Sequence, residues 1–226
     1  MMRQTLIQGL GRISNDLIEM GTLVEIAIGR AITALKTQDM ELARSVRTYQ
    51  RKVDEMEKAI ESTALYILVS QQPVARDLRL ISVALKLITD MQRIADQAYN
   101  IAEISIQVAQ SSFVYNPQQI VDMAEKSTAM VSRSLDSFVN KDIELAEAII
   151  DADDEIDTLF VTVRTEIINL IAENKQNGEQ AIDFMMIAKY LERIADHAVN
   201  IASWVIFYVT GEHRKGSGLD EAEESI

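Results

Sequence analysis

The chain has 226 residues, 48% of them apolar, with two Pro, eight Gly and no Cys, and its 35 acidic and 22 basic side chains leave a net charge of −13. That excess of negative charge opposes the phosphate attraction on which nucleic-acid and anionic-lipid binding depend, so neither is expected as a principal partner. Disulfides and thiolate metal sites are excluded, and with no apolar core near Met1 and no run of about 18 apolar residues, neither a signal peptide nor membrane insertion is expected; cytoplasmic residence fits.

Apolar residues recur at helical spacing over six segments, from about Thr5 to Leu35, Met40 to Val69, Val74 to Ala109, Gln118 to Val139, Ile143 to Ala172 and Gln180 to Val209. Asp39 and Asp142 stand where N-caps belong, because a carboxylate there accepts from the first free backbone amides. Pro73 and Pro117 fall at or just before helix starts, where a missing N–H costs little. Asn177-Gly178 separates the fifth helix from the sixth. In the third helix Leu87, Met91, Ile94, Ala98, Ile101, Ser105 and Val108 alternate steps of four and three, and Ile187, Leu191, Ile194, Ala198, Ile201, Val205 and Tyr208 do so in the sixth. Such seams belong to helices packed at shallow angles in a bundle.

The chain repeats itself. RIADQAYNIA from Arg93 returns as RIADHAVNIA from Arg193, with eight of ten residues identical, and Asp39-Met40-Glu41-Leu42-Ala43 returns as Asp142-Ile143-Glu144-Leu145-Ala146. A unit of this size is a duplicated domain, not a solenoid repeat. The fold class expected is all-α, two tandem antiparallel three-helix bundles at residues 1–112 and 113–210, followed by a disordered acidic tail at 211–226.

Packing accounts for the recurrence of Ile94, Ala95, Ala98, Ile101 and Ala102, but not of Arg93, Asp96 and Asn100 or their copies Arg193, Asp196 and Asn200. These are read either as a solvated face, as an Arg and Asn clamp on a neighbouring helix, or as a site. Asp153 and Asp157 are spaced i,i+4, as are Glu192 and Asp196, so each pair projects from one side of its helix. Folding the fifth helix back on the sixth sets Asp153 opposite Asp196 and Asp157 opposite Glu192. In the first unit Gln50 and Asp54 face Gln92 and Asp96 in the same way. Four clustered carboxylates repel one another unless a cation or protons intervene, so two readings stand: a hard metal ion at a surface groove, with Asp54 and Asp96 as reduced ligands in the first unit, or exposed acids in water.

The twin RIAD-x-A-x-NIA segments, the acidic pairs Asp153/Asp157 and Glu192/Asp196, the segment Gln71 to Arg79 and the Asp39 and Asp142 starts together resemble the PhoU family of phosphate-specific transport system accessory proteins. The resemblance runs from about Thr5 to Val209. It implies tandem three-helix bundles and a cytoplasmic, commonly dimeric negative regulator of phosphate uptake, acting between the ATPase subunit of a phosphate ABC transporter and a sensor histidine kinase. It also implies multinuclear iron or zinc on the bundle surface, held by the acidic pairs; Gln50 and Gln92 depart from that pattern. Arg76 and Arg79 at the start of the third helix, with Arg93, Asn100, Arg193 and Asn200, are the candidate partner contacts.

No catalytic loop, elbow or thiol nucleophile is present, and no enzymatic activity is expected. The enzymatic rival, a ferritin-like carboxylate-bridged metal enzyme, needs Glu-x-x-His pairs projecting into a core. This chain has only His197 and His213, neither three residues after a Glu. A metal-free helical scaffold is the other alternative.

Overall fold

The computed structural model describes residues 2–213, and every regular element among them is helical. Helix α1 spans Met2–Thr37, α2 Met40–Gln71 and α3 Arg76–Val108; α4 spans Gln118–Asn140, α5 Ile143–Asp151, α6 Asp153–Glu173 and α7 Gly178–Thr210, with one 3₁₀ turn at Lys175–Asn177. The first three form one antiparallel bundle, and α4, the α5–α6 pair and α7 form the second. The expected tail falls on residues 214–226, outside the described residues; of its first part, His213 stacks on Phe207 at 4.2 Å.

Both N-caps form as expected. Asp39 accepts from the backbone N–H groups of Glu41 and Leu42 at 3.0 and 2.9 Å, and Asp142 accepts from that of Leu145 at 3.0 Å. Every residue of the two seams is buried. Between them, Ala95, Ala98, Ala102, Ala195, Ala198 and Ala202 are buried as well, and their small side chains let helix axes approach closely.

Two expectations need correction. The fifth helix is interrupted at Ala152, which keeps helical dihedrals (φ −73°, ψ −14°) while its N–H is shared between the carbonyls of Ala148 and Ile149. Asp151, Asp153, Asp154 and Glu155 crowd this point. Starting a new helix there sets Asp153, Asp154 and Glu155 in a first turn, where free N–H groups and the helix dipole favour carboxylates. The third helix begins at Arg76 rather than Val74, because Ala75 adopts φ 48°, ψ −116° at the corner of a turn closed by Asp77 N–H to Val74 O at 3.2 Å.

The two bundles meet chiefly through α3 against α7, running antiparallel, and through α1 against α4. The duplicated decapeptide thus lies in the contact between units as well as in each bundle. Both helices are buried on more than one face for this reason; of their repeated polar residues Asp96, Asn100 and Asn200 are half-buried, while Arg93 and Arg193 are exposed.

Candidate functional site

The first unit places its quartet at matching heights, as the antiparallel register requires. Gln50 Nε2 donates to Asp54 Oδ2 at 2.7 Å and to Asp96 Oδ1 at 3.0 Å; Gln92 Nε2 donates to Asp54 Oδ1 at 3.2 Å and to Asp96 Oδ2 at 2.8 Å. Two amide groups with two hydrogens each meet two carboxylates with two oxygens each, and the ring closes. Every carboxylate oxygen of Asp54 and Asp96 already accepts an amide N–H, so the amides supply here the positive edges that a cation would otherwise bring. This donor set does not fit a metal ion without breaking four hydrogen bonds.

The second unit has the same geometry with four carboxylates. Burial, followed by the charges of Asp196, Asp157, Asp154 and Glu192, pushes Asp153 up from 3.8 to about 6. Asp196 is also raised, by burial first and then by Glu192, with Lys189 and His197 opposing. These mutual effects place the four acids in one electrostatic cluster, the cluster that spacing along the chain suggested. Lys189 forms an ion pair with Glu192 and lies over the Phe160 ring at 5.3 Å, so one acid of the four has an internal counter-charge. Among the described residues no three His, Cys, Asp or Glu side chains are arranged as a formed metal site. The chemistry of the donors, all hard oxygens with a shortage of positive charge, fits a cation better than that of the first unit does.

The partner candidates divide. Arg76, Arg93 and Arg193 are exposed. Arg79 is engaged within the chain: its Nη1 donates to the Tyr208 carbonyl at 3.3 Å and its guanidinium lies 5.9 Å from the Phe207 ring centre, tying the first unit to the end of α7. Asn200 is also used internally, donating to Asp90 Oδ1 at 3.4 Å across the contact between units, while Asn100 is half-buried at the equivalent place. Asn200 thus reaches across to a neighbouring helix as a clamp would, while Arg193 of the same segment is exposed.

Asp90 and Lys189 were missed from the sequence. Asp90 is 8% exposed, and its carboxylate meets His197 Nδ1 at 2.9 Å. His197 is thus a half-buried partner of α3, not a solvated surface residue. The available signal was a carboxylate four residues before Ile94, on the apolar side of α3. The duplicated position of Asp90 is Tyr190, and that of His197 is Gln97, whose Oε1 is buried with no hydrogen-bond partner. One half of the pseudo-symmetric seam is a matched acid, imidazole and amide; the other has no acid at that place.

No helix among the described residues is long and apolar enough to cross a membrane. The family model for the PhoU domain matches twice, at residues 17–105 and 120–205. The chain is 30% identical over 213 residues to the phosphate-specific transport system accessory protein PhoU homolog of Clostridium acetobutylicum, covering 94% of this chain and 97% of that protein. It is 34% identical to the homolog of the same name from Aquifex aeolicus, covering 97% and 99%. The crystal structure of PhoU from Pseudomonas aeruginosa superposes with a TM-score of 0.88 at 32% identity, covering 91% of this chain and 99% of that one. PhoU from Streptococcus pneumoniae, described as a phosphate transport system regulatory protein, gives 0.85 at 25% identity, covering 93% and 99%. The chain belongs to the PhoU family.

Proposed function

We propose that this chain is a cytoplasmic regulator of phosphate homeostasis, an adaptor between the ATPase subunit of a phosphate ABC transporter and the sensor histidine kinase of the phosphate regulon. In this reading it lowers uptake and regulon output when phosphate is plentiful, and it works as a homodimer. The observation that supports it is the match of both repeats, over nearly the whole chain, to proteins named as accessory or regulatory to phosphate transport. The physical character of the molecule agrees: long helices present extended surfaces, and its polar groups are spent on joining two bundles rather than on activating a nucleophile. It acts by binding, and no reaction is assigned to it. Deleting the gene in a phosphate-replete host should raise phosphate-regulon expression, and the purified protein should capture the transporter ATPase subunit and the kinase. Unchanged expression together with no capture would overturn the adaptor reading.

The same reading includes a metal ion, iron or zinc, on the second unit. Asp153, Asp157, Glu192 and Asp196 would hold it, after Lys189 releases Glu192, and the ion would offset the repulsion that raises Asp153. Asp54 and Asp96 would bind more weakly because their oxygens are already donated to. Calorimetry with iron(II), zinc and manganese on the parent and on Asp157→Asn/Glu192→Gln tests this. Equal affinity and stoichiometry in both would make the quartet a solvated face, and no binding by the parent would make the protein a metal-free scaffold.

A further inference from the structure

Along α3 the positions Arg79, Lys86 and Arg93 recur every seven residues, which returns each to nearly the same side of the helix and spaces them by about 10 Å. Between them Ser82 and Thr89 are exposed and neutral. Asp90, the one acid in this stretch, is turned into the contact between units and held by His197 and Asn200. Arg76 stands exposed at the head of the row. In a chain of net charge −13 this is a basic stripe about 20 Å long among the described residues, with Arg79 tied to the Tyr208 carbonyl at its head.

The stripe has an aromatic edge. Lys86 Nζ lies 5.5 Å from the ring centre of Trp204, the single tryptophan, and Arg79 lies over Phe207, so α7 rings hold both cations in place. Trp204 and Phe207 pack edge to face at 5.9 Å, and both are half-buried. The duplication provides an internal comparison. The counterparts of Arg79, Lys86, Trp204 and Phe207 are Glu179, Met186, Ile104 and Gln107, with Asp183 nearby. The fold therefore forms equally well with the opposite chemistry at these places, and packing of the bundle does not dictate the basic and aromatic set.

We propose that the Arg76–Arg79–Lys86–Arg93 stripe, with Trp204 and Phe207, is a docking face for an acidic amphipathic helix of a partner protein. Cations about 10 Å apart are too far separated for one phosphate to bridge, but they match carboxylates placed every seventh residue on a helix lying alongside α3. Apolar side chains on the same partner helix would cover the part of the Trp204 and Phe207 edge that His213, stacked on Phe207 at 4.2 Å and 5.5 Å from the Trp204 ring, leaves open. An anionic bilayer is disfavoured by the overall negative charge. The proposal gives the chemistry of a partner in the adaptor reading above and rests on that reading.

The full chain would be titrated with a synthetic helical peptide about three heptads long, with Glu at every seventh position and Leu on the adjoining face. Trp204 emission gives the readout. Binding should be saturable and weakened by salt, and Lys86→Glu/Arg93→Glu should weaken it by roughly tenfold or more. Arg164→Glu/Lys175→Glu, an equal change in net charge at exposed sites in the second unit, should leave it within about twofold. Lys86→Ala/Arg93→Ala, checked for unchanged helicity, guards against a folding defect and should also weaken binding. No saturable binding, equal loss in the two reversal variants, or binding only to vesicles containing phosphatidylglycerol would each overturn the proposal. The titration uses purified protein and peptide, so its failure is separable from failure of the gene-deletion phenotype that tests the adaptor reading.

Discussion

Replacing Asp153 with Asn should stabilise the metal-free protein at neutral pH and leave it unchanged in acid. Asp153 is held at about 6 against an ordinary 3.8, so the folded state resists ionisation that the unfolded chain accepts. Below 3.8 both states are protonated and the quartet imposes no cost. As pH rises from there to about 6 the unfolded chain loses its proton first, and above 6 the folded state bears the full repulsion. The parent therefore loses stability across that window, and a neutral Asn does not. A shift of about two pH units corresponds to about 3 kcal/mol at 1.36 kcal/mol per unit. Asp153 is only half-buried, and screening by solvent reduces the expected gain to about 1 kcal/mol. Asn is tolerated in the first turn of α6, so the helix start survives the change. Urea unfolding with chelator present should show the midpoint of Asp153→Asn raised by roughly 0.5 M near pH 7.5, for a slope of about 2 kcal/mol/M, and almost no difference near pH 3. A variant less stable than the parent at neutral pH, or an equal shift at both, would refute the claim that burial, together with the neighbouring acids, sets this carboxylate's behaviour.

Changing Gln50→Glu and Gln92→Glu together should remove the four-membered amide ring and create a second acidic quartet. The thermal midpoint should fall in chelator and recover on adding a divalent ion, while recovery by the parent of similar size would argue against it. Asp90→Leu should cost about 2 kcal/mol in chemical unfolding, because it leaves the His197 imidazole and the Asn200 amide without their shared acceptor in a half-buried seam. A cost below about 0.5 kcal/mol would mean that the seam is held by its apolar contacts alone. Ala75→Gly should stabilise by about 0.5–1 kcal/mol, since φ 48° with ψ −116° is open to glycine and strained for alanine; calorimetric melting reads the gain, and a loss would show that Ala75 does not hold this turn.

Elements with a strong local cause were legible before the structure. The caps at Asp39 and Asp142 need only a carboxylate and the next turn of helix, and the seams of α3 and α7 need only periodicity. The quartets were legible for a related reason: two helices joined by a short turn run antiparallel, so position along the chain fixes which residues face each other. The break at Ala152 was not, because no Gly or Pro marks it. The clamp formed by Asp90, His197 and Asn200 was invisible for a different reason. It depends on the register of α3 against α7, helices that are about 100 residues apart and joined by no turn that would fix their alignment.

That last distinction bears on what the duplication preserved. The decapeptide has to satisfy three contacts at once: the seam of its own bundle, the groove facing α2 or α6, and the seam between units. A residue such as Asp96 or Asp196 answers to the groove, and its partners have diverged from amides in one unit to carboxylates in the other. Asn200 answers to the contact between units, where its acceptor Asp90 lies in the opposite repeat. After duplication, each copy of the segment is therefore constrained by residues of both repeats, and a change in one can be compensated only by a change across the seam. The unmatched Gln97 opposite Tyr190 is what such a contact looks like once one side has changed alone. These converging demands account for the recurrence of the apolar, Asp and Asn positions; the exposed Arg93 and Arg193 lie outside them, and the differing quartets show that identity of the segment does not require the same groove partners in both units.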